Sequence, residues 1–142
     1  IANWVELTAP SEKEFLIRLR QFSRALLRNL VSPHLAEDIR LAIEEMAHNA
    51  IEWGNRYQSS KQVRVSYCFF SDRVVVKVAD EGEGFVPEDI EDPRKDPLEY
   101  SQRRREAGKR PGGYGIQLVK AVMDEVMYSR AGNTVLFTKY IT

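Results

Sequence analysis

The sequence predicts an α+β two-layer sandwich: a mostly antiparallel mixed sheet with three helices on one face. Three observations predict it. Helical spacing of apolar residues recurs over 15–26, 39–53 and 116–123. Two runs rich in β-branched and aromatic residues, 62–70 and 74–79, are separated only by Ser71, Asp72 and Arg73, close enough to pair as a hairpin. Strands also outnumber the crossovers that would make them parallel.

Trp4, Val5, Glu6, Leu7 and Thr8 alternate and run into Ala9 and Pro10, the pattern of a short edge strand. Ser11 stands three residues before Glu14 as a capping box, and Phe15, Leu19, Phe22 and Leu26 carry the first helix to about residue 29. Ser32 offers an N-cap with Pro33 in the first helical position. The second helix has Ile39, Ile43, Met46, Ala50 and Trp53 as its apolar seam and is expected to stop at Gly54 and Asn55. Val63, Val65, Tyr67 and Phe69 share one face of the next strand. In the strand after it, Val74, Val76, Val78 and then Asp80 share one parity. A carboxylate that continues an apolar face either finds a donor or is turned outward by twist at the strand end.

Between residues 86 and 111 hydrophobic periodicity disappears. The stretch begins acidic, ends basic with Arg103, Arg104, Arg105, Lys109 and Arg110, and is interrupted by Pro87, Pro93 and Pro97. A connection of that length is a lid or a disordered, solvated segment. Gly112, Gly113, Tyr114 and Gly115 then open an amphipathic helix through Ile116, Leu118, Val119, Val122 and Met123. Strands over 125–129 and 134–141 follow, joined by the turn residues 130–133. No repeat or linker divides the chain, so residues 1–142 are expected to form one domain.

Composition bounds the function. With 43% hydrophobic and 30% charged residues the chain reads as globular, and its 21 basic residues equal its 21 acidic ones, so net charge gives no argument for nucleic acid. No apolar run approaches the roughly 20 residues of a membrane span, and a cytoplasmic location is expected. Cys68, the single cysteine, excludes an internal disulfide and reads as a small core residue.

Site chemistry is concentrated in three segments. Glu45 and Asn49 are four residues apart, so at about 100° per residue they lie on one helix face, away from the apolar seam. Asp80 is followed by Gly82 and Gly84, and Gly112, Gly113 and Gly115 sit at a helix mouth, where free N–H groups point at an arriving anion. Each feature alone also reads as a solvated face or a turn. Neither a P-loop nor a dinucleotide fingerprint is present: no Gly-x-x-x-x-Gly-Lys-Ser/Thr occurs, and Gly82-x-Gly84 and Gly113-x-Gly115 both lack the third fingerprint glycine.

The order of these segments, helix with Glu-x-x-x-Asn, strand with Asp-x-Gly-x-Gly, long connection, then Gly-Gly-x-Gly opening a helix, resembles the ATP-binding domain of the GHKL superfamily, with its histidine-kinase-like ATPase fold. The likeness runs from about residue 35 to the C-terminus. The segment from Glu44 to Ala50 looks most like the anti-sigma-factor serine/threonine kinases of bacterial partner-switching systems. The resemblance implies an ATP- and Mg²⁺-dependent kinase that phosphorylates a serine or threonine of a small antagonist protein, sequesters a sigma factor and forms a homodimer. By position it implies Glu45 as general base, Asn49 as the Mg²⁺ ligand and Asp80 as acceptor for the adenine amino group. Gly82 and Gly84 would turn around the base, Gly112, Gly113 and Gly115 would face phosphates, and Arg110, or next Arg105, would meet the transferred phosphoryl group from the lid at about 86–111. Two other functions fit the same motifs: a detached catalytic domain of a sensor histidine kinase, and a nucleotide-binding module that transfers nothing. One departure from the anti-sigma pattern is Trp53, which stands where those kinases commonly carry histidine before Gly54.

Overall fold

A computed structural model describes residues 3–82 and 115–142. Strand β1 (Asn3–Pro10) leads to helices α1 (Lys13–Leu27) and α2 (Pro33–Asn49), and α2 continues into a π-helical turn, Ala50–Gly54. The hairpin β2 (Gln62–Phe69) and β3 (Arg73–Ala79) follows, then α3 (Gly115–Val122), β4 (Glu125–Tyr128) and β5 (Thr134–Tyr140). The strands form one sheet in the order β1-β2-β3-β5-β4, with β1 at the expected edge. Every pairing among the described strands is antiparallel, so the sheet is not mixed. The β4–β5 hairpin inserts β5 beside β3, and its turn uses Gly132 at φ 78°, a conformation that suits glycine.

One face of the sheet carries the core. Val65, Tyr67, Val76 and Phe137 are buried completely and meet Leu19 and Leu27 from α1, Ile39 and Ile43 from α2, and Val119 from α3. The alternation of β-branched and aromatic residues in β2 and β3 thus does what period-2 patterning requires. Tyr67 buries its ring and keeps its hydroxyl satisfied against Ser23 Oγ at 2.6 Å. Burial pushes its phenol up to about 12.

Two expected details change. Ser11 does not cap α1, whose N-cap is Glu12; its hydroxyl is buried and donates instead to the Lys61 carbonyl at 2.6 Å. Trp53 leaves the apolar seam and is 45% exposed, whereas Glu52 is buried. The π-helical turn explains the exchange. Asn55 N–H bonds to the Ala50 carbonyl, five residues back, at 2.8 Å. That wider winding rotates residues beyond Ala50 relative to a regular helix.

Candidate functional site

Glu45 and Asn49 are half-buried on α2, one turn apart. The first residue of α3, Gly115, packs onto both. A Cβ added there would lie 2.8 Å from Glu45 Oε2 and 3.4 Å from Asn49 Nδ2. Glycine therefore lets the mouth of α3 close on the carboxylate and the amide. Gly115, far away in sequence, thus meets the Glu45 and Asn49 pair at this point.

A second cluster forms where the helix ends. Asp80 leaves β3 half-buried, and its Oδ1 accepts the Gly82 N–H at 2.8 Å. The Asp80 N–H itself bonds to the Asn133 carbonyl at 2.9 Å. A Cβ on Gly54 would overlap the Asp80 carboxylate, and one on Gly82 would overlap the Gly54 carbonyl. Burial raises the Asp80 carboxyl above its ordinary value, opposed by the Gly82 N–H and the charge of Lys61. The carboxylate has about four lone-pair sites, so capacity remains for an external donor. The two clusters lie along one continuous path, Glu45 and Asn49 on α2 and Gly54 at the end of the π-helical turn.

Glu44, next to Glu45, points elsewhere and is held by Arg20 and by Arg40, the latter at 2.8 Å. His48 Nε2 lies 3.9 Å from the buried Glu52 carboxylate. Gly54 was legible only as a helix stop; its close approach to Asp80 is a tertiary fact. Asn55 was also read as a stop, yet its side chain is fully buried behind the Asp80 turn. Gly84, Arg105, Arg110, Gly112, Gly113 and the connection at 86–111 lie outside the described residues. A cavity of about 250 Å³ between the end of α1 and the start of α2, lined by Leu27, Val31, Ala36 and Arg40 among others, shares no residue with either cluster.

The donor set fits a metal-bound nucleotide. An amide and a carboxylate at the mouth of a glycine-opened helix are hard oxygen donors beside an anion-attracting terminus, and a desolvated carboxylate stands at the other end.

Comparison with known proteins is consistent with this geometry. The family model described as "Histidine kinase-like ATPase domain" matches residues 9–139. The serine-protein kinase RsbW of Bacillus velezensis is 30% identical over 142 residues, covering 98% of this chain and 86% of the relative. Its counterpart in Staphylococcus epidermidis is 30% identical over 145 residues, covering 98% and 87%. Among solved structures, the RsbU and RsbW domains of a Mycobacterium tuberculosis protein superpose with a TM-score of 0.60 at 16% identity. That match covers 97% of this chain and 32% of the solved one, and it is a likeness of fold. The chain belongs to the histidine kinase-like ATPase domain family and, within it, to the RsbW serine-protein kinases, ATP-binding proteins of the anti-sigma-factor type.

Proposed function

We propose that this protein is an ATP- and Mg²⁺-dependent kinase that phosphorylates a serine or threonine hydroxyl on a small antagonist protein and thereby regulates a sigma factor. The observation that carries the reading is the approach of Gly115 to both Glu45 and Asn49 at the start of α3. It supports the reading because it brings the residues proposed as base and metal ligand to the start of a helix, where phosphate would be favoured.

Glu45 takes the proton of the acceptor hydroxyl as that oxygen attacks the γ-phosphorus of ATP and ADP departs. Asn49 would hold Mg²⁺ through its side-chain oxygen, and the ion would supply neutralising charge to the triphosphate. Asp80 accepts a hydrogen bond from the adenine amino group, which gives its desolvated carboxylate the partner that burial makes valuable. Gly82 and Gly84 allow the chain to turn closely around the base, and Gly112, Gly113 and Gly115 present N–H groups to phosphates. Arg110 supplies positive charge to the transferred group. The protein acts in the cytoplasm as a homodimer. The sheet face away from the helices supports that state, since Trp4, Cys68 and Val75 stand in register there and Trp4 is 58% exposed.

The test is transfer from radiolabelled ATP with Mg²⁺ to candidate antagonist proteins encoded beside this gene. Label on serine or threonine is expected. Acid-labile label on histidine overturns the serine/threonine assignment in favour of a histidine-kinase domain, and binding without transfer overturns it in favour of a nucleotide-binding module. Glu45→Ala is expected to lower transfer by about 10²- to 10⁴-fold, the usual contribution of a general base, while ATP affinity changes less than about threefold. Undiminished transfer in that variant removes Glu45 from the chemistry.

A further inference from the structure

We propose that Asn55 is the positioning residue of the nucleotide-base site: its buried amide fixes the turn from Asp80 to Gly82 so that the Asp80 carboxylate is aimed before nucleotide arrives. The proposal rests on the nucleotide reading above and assigns Asn55 an action through that turn.

The Asn55 side chain is 0% exposed. Its Oδ1 accepts the Glu81 N–H at 2.8 Å. Its Nδ2 donates to Ser11 Oγ at 2.7 Å and to the Gln62 carbonyl at 2.9 Å. Both amide protons and the oxygen are thus used. Ser11 Oγ–H in turn donates a hydrogen bond to the Lys61 carbonyl, so the network ties the turn to the start of α1 and the start of β2. A second clamp runs from the Gln62 N–H to the Glu81 carboxylate. On its other side the turn is pinned by Gly82, which sits against the Gly54 carbonyl and donates to Asp80 Oδ1.

An apolar residue would fill this slot without the cost of desolvating an amide, which is several kcal/mol unless every group is paired. What the amide adds is direction: it places one backbone N–H, that of Glu81, and hence the residue before it. The chain around Asn55 is also held in an unusual shape. Arg56 and Tyr57 follow at φ 50° and 58°, left-handed values that non-glycine residues rarely adopt. Their conformation is held by Tyr57 N–H to the Ile51 carbonyl at 2.9 Å and Gln58 N–H to the Asn55 carbonyl at 3.0 Å. The π-helical turn ends at Gly54, and Asn55, next in the chain, carries its buried side chain to the Glu81 N–H just beyond Asp80.

The experiment compares the whole protein with Asn55→Ala and Asn55→Asp, measuring Mg-ATP and Mg-tripolyphosphate affinity by calorimetry alongside thermal stability. Asn55→Ala is expected to weaken ATP binding about tenfold and leave tripolyphosphate binding within about twofold, because only the base end is disturbed. Asn55→Asp keeps the acceptor for Glu81 and loses amide donors inside the protein. It is expected to melt below Asn55→Ala yet bind ATP more tightly. Binding that merely tracks melting temperature, or equal loss of ATP and tripolyphosphate, overturns the positioning role. Failure of the unaltered protein to bind ATP overturns the nucleotide reading itself, a distinct outcome. Should Asn55→Ala not fold, hydrogen exchange on the unaltered protein decides: the Glu81 amide is expected to be protected without nucleotide, and exchange at the rate of an open loop overturns the proposal.

Discussion

Asp80 carries a cost to stability that the recognition role proposed for it would explain. Its carboxyl is raised above the ordinary value of 3.8 chiefly by burial, so the folded state favours the protonated form. A group with a raised folded pKa contributes to stability fully below its unfolded value, and the contribution fades as pH climbs through the folded one. At neutral pH the ionised carboxylate is therefore the less favourable form for folding, and it is the form that the proposed function requires to accept the adenine amino group. Asp80→Asn is expected to weaken ATP binding about tenfold. Its melting temperature at pH 7 is expected to equal or exceed that of the unaltered protein, with the gap closing toward pH 4. Melting curves at the two pH values, with calorimetry at pH 7, check both halves. A variant that melts lower at pH 7 than the parent shows that the carboxylate is stabilising and removes this account.

At the scale of elements, the start of α3 carries a similar compromise. Within a helix alanine is ordinarily favoured over glycine by about 0.5–1 kcal/mol, an upper bound at the first position, where Gly115 stands. At Gly115 the added methyl would stand 2.8 Å from Glu45 Oε2, the far end of a flexible side chain, so the carboxylate moves and the helix does not. Gly115→Ala is expected to melt at or above the parent while turnover falls about tenfold or more, because small displacements of a catalytic group cost rate steeply. Steady-state kinetics beside thermal unfolding test this, and unchanged turnover would separate Gly115 from Glu45 in function. The sequence made the elements themselves legible. Period-2 alternation located the buried faces of β2 and β3, and Ser32 with Pro33 marked the start of α2. The winding at Ala50–Gly54 was not legible, since nothing in the residues 50–54 announces a π-helical turn; regular periodicity puts Trp53 on the apolar seam, whereas it is 45% exposed and Glu52 is buried. Ser11 misled for a related reason. Its capping-box spacing was genuine, but Asn55, 44 residues away, takes its hydroxyl into a tertiary network that local pattern cannot contain.

At the scale of the molecule, the antiparallel order sets β3 between β2 and β5 and so fixes Asp80 at the end of a strand paired on both sides. The long α2 crosses from the core to that end, while α3 returns to the same helix. The candidate site thus draws on segments near residues 45, 80 and 115, and unfolding any one of them dismantles it. A ligand bound there stabilises the whole described core by mass action. At a free Mg-ATP concentration about 100 times the Kd, unfolding free energy is expected to rise by about 2.7 kcal/mol. Glu45→Ala should show nearly the same rise, since its affinity is retained, whereas Asp80→Asn at that same concentration, now about 10 times its own Kd, should gain about 1.4 kcal/mol. Denaturant titrations with and without nucleotide measure the rise, and calorimetry supplies the Kd independently. A rise well below the value the Kd dictates would mean that part of the binding site opens separately from the core, and agreement in all three proteins would tie α2, the end of β3 and the start of α3 into one cooperative unit.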